Sequence, residues 1–210
     1  MRRGLVVSGY APILEAVAVL AVTFPLAVGF HLPTLWFLAP LIFLAFTQRS
    51  YAEYGLGFDH LGGPLFHIVV VVAVFVPYVI GHILYAHWWI GATFHFRLPE
   101  GLLWLILDQV FVVALPEEVF FRGYFQRQCD RVWGTPYRFA GASWGWGLPC
   151  AAAVFAVCHI LHGGPARLIV FFPGLFYGWL RARTGTVAVP TLYHAASNVL
   201  MSIMLTSLSV

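Results

Sequence analysis

Pro116-Glu117-Glu118-Val119-Phe120-Phe121-Arg122 places two adjacent carboxylates and a guanidinium inside an apolar stretch of a chain in which only 9% of residues are charged. A charged side chain at the centre of a bilayer costs about 2.5–3.5 kcal/mol on insertion scales, so ionisable groups in such a segment mark a functional site. The rest of the sequence puts this segment in lipid. Hydrophobic residues fill 61% of the 210 positions and mean hydropathy is +0.86, against about 45–50% apolar usage in soluble domains. A membrane-crossing helix needs about 20 apolar residues. The expected architecture is therefore all-α, a polytopic transmembrane helix bundle forming a single integral membrane domain over residues 1–210.

Working outward, hydropathy and breaker residues predict about seven spans. They fall near 10–30, 34–47, 65–86, 101–127, 147–162, 167–181 and 187–207. The second is short, which suggests tilting, a re-entrant segment or a junction with the first through His31-Leu32-Pro33. Met-Arg-Arg before the first apolar run resembles a signal peptide, but the run is long and lacks a small-residue cleavage site, so we read a retained helix. Gly62-Gly63-Pro64 and Gly163-Gly164-Pro165 punctuate the loops.

Every basic residue is an arginine. With the N-terminus inside, Arg2, Arg3, Arg49, Arg127, Arg131, Arg138, Arg181 and Arg183 fall on the cytoplasmic side and only Arg97 and Arg167 fall outside. That bias predicts an N-in, C-out topology. A formal charge of +3 suits a membrane lipid surface as partner and gives no sign of nucleic acid. Cys129, Cys150 and Cys158 show no Cys-x-x-Cys pair, so neither a disulfide framework nor a zinc ribbon is indicated.

Within the fourth span, Glu118 and Arg122 are four apart with the acid N-terminal, the favourable order for a helical pair. Arg122 can neutralise Glu118. Glu117 lies about 100° around the helix with no sequence-local cation, which suits a general base. Pro116 removes a backbone hydrogen bond and should loosen the helix beside the pair. His159 lies in the fifth span, near mid-depth. In the seventh, His194 and Asn198 are one turn apart and could both point at one oxyanion, while Ala195 and Ala196 between them allow close helix approach. For each of these groups the alternative is a hydrogen-bonded packing seam. Cys158 next to His159 does not make a thiol nucleophile, because the two side chains diverge on a helix.

Glu-Glu-x-x-x-Arg at 117–122, Phe-x-x-x-His at 155–159 and His-x-x-x-Asn at 194–198, in that order and each on an apolar helix, resemble the CPBP family. These are the CAAX proteases and bacteriocin-processing enzymes, intramembrane glutamic endopeptidases of the Rce1 type. The resemblance covers approximately residues 101–205. It implies an endopeptidase of a bacterial inner (cytoplasmic) membrane that cuts a protein or lipidated-protein substrate near its terminus. By the same resemblance Glu117 and His159 activate the attacking water, His194 and Asn198 form the oxyanion hole, Glu118 and Arg122 give support, and no cofactor is needed. Arg122-Gly-Tyr-Phe-Gln-Arg-Gln128 followed by Val132-Trp-Gly134 also looks like myxosortase-type members, which implies a C-terminal sorting tail as substrate. Two alternatives stay open. Glu117, His159 and His194 could hold a catalytic zinc with a fourth position for water, or the chain could be a non-catalytic immunity or binding protein.

Overall fold

In the computed structural model the described residues are 9–58 and 60–209. Arg2 and Arg3, which count toward the expected topology, lie outside them. The described residues are mostly helical, with two short β-pairs. Helix α1 is Ala11–Gly29 and α2 is Leu35–Phe46. Helix α3 is Pro64–Ile90 and α4 is the rod over residues 102–133. Helix α5 is Gly147–Gly163; α6 is Phe171–Thr184, led in by the 3-10 turn Pro165–Val170; and α7 is Ala188–Thr206. Among the described residues α1, α3 and α7 are long and apolar enough to cross a membrane. The rods lie where hydropathy predicts them, and the bundle is all-α as expected.

The surface is the inverse of a soluble protein's. Phe46, Trp89, Trp104 and Phe111 are exposed, whereas Glu118, Arg122, Gln126, Gln128 and His194 are buried. Large exposed apolar area around a polar interior is stable only against lipid. This is an integral membrane protein.

Helix α2, read as short from the sequence, has 12 residues, about 18 Å at 1.5 Å per residue, too short to cross a ~30 Å hydrocarbon core. It folds back on α1 through a turn in which His31 takes φ 54°. Helix α4 runs on to Trp133, past the end of the apolar span at residue 127, because its polar last turns bury Gln126, Gln128 and Cys129 against neighbouring helices. Residues 137–144, read as loop, form the antiparallel hairpin β2 (Tyr137–Phe139) and β3 (Ala142–Trp144). Its two turn residues, Ala140 (φ 45°) and Gly141 (φ 79°), both adopt the left-handed region that a two-residue hairpin turn requires. The other pair, β1 (Thr93–Phe94) with β4 (Leu208–Ser209), ties the end of α3 to the end of α7.

One core cluster joins α1, α2, α4 and α5 around Trp36, Phe120, Phe121, Tyr124 and Phe155. A second joins α3, α6 and α7 around Val70, Tyr177, Leu180 and Tyr193. Beside the first cluster lies a polar knot that the sequence reading missed. Glu15 of α1 accepts two bonds from Arg49, at 2.6 and 2.7 Å, one from Tyr124 at 2.9 Å, and one from Gln128. Tyr54 and Arg131 close the ring around Gln128. One carboxylate thus fastens α1 and the 47–55 loop to α4. A hydrogen bond to a charged group contributes about 1.5–3 kcal/mol, so Glu15→Ala should lower the thermal midpoint in detergent by several degrees. An unchanged midpoint would mean that the knot does not fasten these elements.

Candidate active site

The two glutamates sit on a four-residue α-helical piece, Leu115–Glu118, between π-helical segments Gln109–Ala114 and Val119–Phe125. Wide π turns inside α-helices recur at functional sites because each inserts a residue and re-aims the side chains after it. Pro116, which cannot donate to the ladder, follows directly on the first wide turn. The rod stays continuous but is widened on either side of the pair, in keeping with the loosening expected beside Pro116.

Glu118 is fully buried at 0% exposure. Its Oε1 lies 3.0 Å from Arg122 Nη1, the i,i+4 pair read from the sequence, and accepts a 2.9 Å hydrogen bond from His194 Nδ1. Arg122 is wedged among aromatic rings, its guanidinium carbon 4.2 Å from the Phe155 centroid and 5.4 Å from that of Tyr177. Cation–π attraction of this kind strengthens when desolvated. Arg122 Nη2 also donates to the Gly174 carbonyl at 3.4 Å. The packing at Gly174 is close: an added Cβ would stand 3.4 Å from Nη2 and 3.3 Å from Ala152 Cβ. Tyr177 stacks on His194 with centroids 4.7 Å apart and an interplanar angle of 17°, which fixes the imidazole plane.

Glu117, one position around the rod, keeps 17% side-chain exposure, and its Oε2 lies 3.8 Å from His194 Nε2. That oxygen is buried and has no hydrogen-bond partner. With His159, Cys158, His162, Trp36 and Phe121 it lines a cavity of about 70 Å³, room for roughly two waters at ~30 Å³ each. His159 Nδ1 is 2.9 Å from the Phe155 carbonyl. A carbonyl only accepts, so Nδ1 carries the proton and Nε2 is left as an acceptor. His159 stands about one turn from the end of α5.

Asn198 and His194, one turn apart on α7, bond different turns of α4. Asn198 Nδ2 donates to Gln109 Oε1 at 2.7 Å, two turns up the rod from Glu118. Helices α4 and α7 run antiparallel at this contact, so side chains one turn apart on α7 meet different turns of α4. Asn198 also borders, with Ser197 and Tyr177, an apolar cleft of about 580 Å³ between α3, α6 and α7. Of the two alanines expected to permit close approach, Ala195 is buried and Ala196 faces outward.

Gln109 and Tyr177 escaped the sequence reading. The first had a signal, an amide inside an apolar run; the second had none. The zinc arrangement is not drawn together here: among the described residues no cluster of three or more His, Cys, Asp or Glu side chains has metal-holding placement, and His194 gives Nδ1 to Glu118. The three cysteines are free.

Residues 99–200 match the Rce1-like family, described as type II CAAX prenyl endopeptidase Rce1-like. Those residues belong to that family. The match takes in α4, α5, α6 and most of α7, and with them Glu117, Glu118, Arg122, His159, His194 and Asn198; α1 to α3 lie outside it. No curated protein and no solved structure matches the chain. Membership supports CAAX-type endopeptidase activity in an integral membrane protein, acting on membrane-associated protein substrates. The chemical roles of individual residues in the Rce1-like core rest on their geometry.

Proposed function

We propose that this protein hydrolyses a peptide bond near the terminus of a membrane-associated protein, using a water activated by Glu117 and His159. The observation that carries the reading is the water-sized cavity bordered by both side chains, with an unpartnered Glu117 carboxylate oxygen at its wall. Glu117 takes a proton from water, the oxygen attacks the scissile carbonyl, and the proton passes to the leaving amine as the tetrahedral intermediate collapses. His159 accepts a hydrogen bond from the same water through Nε2. His194 donates from Nε2 toward the developing oxyanion while Nδ1 stays on Glu118. No metal takes part.

Asn198 supplies the second oxyanion donor when substrate lies in the apolar cleft it borders, and Gln109 holds its amide in place until then. Removing one such donor costs about 10²–10³ in kcat in a well-studied protease. Gln109→Leu, which only unties Asn198, should lower kcat by about tenfold with KM little changed. Equal loss in kcat and KM, or none, would remove Gln109 from the site.

The substrate carries either a CAAX-type end or a C-terminal sorting tail, in a bacterial inner membrane. Comparative proteomics of membrane and secreted fractions, wild type against Glu117→Gln, tests both. Uncleaved C-termini should accumulate only in the variant. Identical termini in the two strains would leave the immunity or binding reading in place, and loss of activity on chelation with recovery on adding zinc would restore the metal reading.

A further inference from the structure

At the arginine-rich end of the bundle a second polar cavity of about 220 Å³ lies among α4, the last turn of α6, the 51–54 turn and the β2–β3 hairpin, bordered by Glu53, Arg122, Gln126, Arg127, Asp130 and Arg181. It is lined with polar atoms that are buried and lack a partner: Nε of Arg122, Arg127 and Arg181, Oε1 of Gln126 and Oδ1 of Asp130. Arg122 and Gln126 are 1% and 2% exposed. Arg122 has Glu118, but among the described residues neither Arg127 nor Arg181 forms a salt bridge. Both are half-buried, with their Nε atoms out of reach of any partner among the described residues, and nothing in the proposed peptidase chemistry uses these two.

Gly147 and Gly178 on the neighbouring helices leave room for two of these side chains. A Cβ at Gly147 would collide with Asp130 Oδ1, and one at Gly178 would lie 3.0 Å from Gln126 Oε1. Burial pushes the Asp130 carboxyl, beyond the apolar span, up to about 7 against the pull of Arg127 and Arg181, so at neutral pH it cancels only part of their charge.

We infer that this cavity is a binding site for a phosphate group bearing an ionisable P–OH, held by Arg127 and Arg181 and touching Arg122. Guanidinium forks match phosphate oxygens and are the usual partners of such anions. The cavity offers acceptors as well as donors, and Gln126 Oε1 and Asp130 Oδ1 call for a ligand that can also donate. Monohydrogen phosphate and phosphomonoesters do both; a phosphodiester cannot. The group could come from free phosphate or from a phosphomonoester lipid headgroup at the membrane surface, where basic pockets between helices bind anionic heads. Because Arg122 borders both the cavity and the glutamate pair, an anion here competes with Glu118 for its guanidinium. The inference is independent of the proposed proteolysis, since its test reads binding.

The full-length protein in neutral detergent is titrated with sodium phosphate at ionic strength held constant with chloride, and thermal unfolding is followed. A saturable rise in midpoint is expected. Arg127→Gln and Arg181→Gln should each weaken the apparent affinity about tenfold, the loss of one charge-assisted contact. Asp130→Asn should tighten it about threefold, a change opposite in sign that misfolding would not produce. An unsaturating rise, or one equal in wild type and all three variants, means screening or trapped water alone and overturns the site. In nanodiscs, phosphatidic acid that competes with phosphate identifies the headgroup as the source, and failure to compete identifies free phosphate. Equal competition by phosphatidylglycerol, a diester, would overturn the P–OH requirement.

Discussion

Glu117→Gln should abolish cleavage, with kcat down at least ~10³-fold, the upper part of the range for a general base, and with the protein present in the membrane at normal abundance. The substitution keeps the shape of the side chain and its place at the 70 Å³ cavity but removes the carboxylate that takes the proton from water and passes it on, which an amide cannot do. Stability should hold because Glu117, unlike Glu118, has no salt bridge to a guanidinium and its nearest charged neighbour, His194 Nε2, is 3.8 Å away. The deciding measurement is turnover of a C-terminal peptide substrate in detergent, with thermal midpoint measured on the same preparation. Residual activity within tenfold of wild type would show that Glu117 is not the base. His159→Gln should behave alike but less completely, since His159 Nε2 only shares the water. A His159 variant with full kcat would leave Glu117 to act alone.

Local relations survived the passage from sequence to structure, and cross-helix relations did not. The Glu118–Arg122 pair was legible because helical spacing alone sets it. The bond from His194 to Glu118 was not, because it spans two helices whose register no periodicity reports. The same limit explains Asn198: spacing put it on the face of His194, and the antiparallel crossing of α7 over α4 then sent it to Gln109. Glu15 looked like a single acid in an apolar helix and proved to be the acceptor for Arg49, Tyr124 and Gln128. Its partners lie on a loop and on α4, 34 to 113 residues away. The π segments flanking the glutamates carry no sequence mark except Pro116. The helical rods themselves were legible because lipid demands contiguous apolar runs, whereas the helical extension to Trp133 lies beyond the apolar run and depends on tertiary cover.

Arg122→Met should destabilise the protein more than any other single change at the site, by about 3–5 kcal/mol, the usual result of leaving one member of a buried ion pair behind. Glu118 is at 0% side-chain exposure, so solvent cannot take over from the guanidinium 3.0 Å away. His194, on the same oxygen at 2.9 Å, can supply a proton but would then be drawn away from Glu117. Stability and activity therefore respond differently to repair. Adding Glu118→Gln to Arg122→Met removes the stranded charge and should recover most of the lost stability, because an apolar or neutral replacement of a buried pair is often close to neutral. Activity should not return, since an amide at position 118 no longer holds His194 Nδ1–H with a carboxylate and the imidazole loses the acceptor that orients it. Thermal unfolding and turnover on the single and double variants form a mutant cycle that separates the two roles. Recovery of both together would reduce Glu118 and Arg122 to packing, and recovery of neither would mean that Arg122 is held chiefly by the rings of Phe155 and Tyr177.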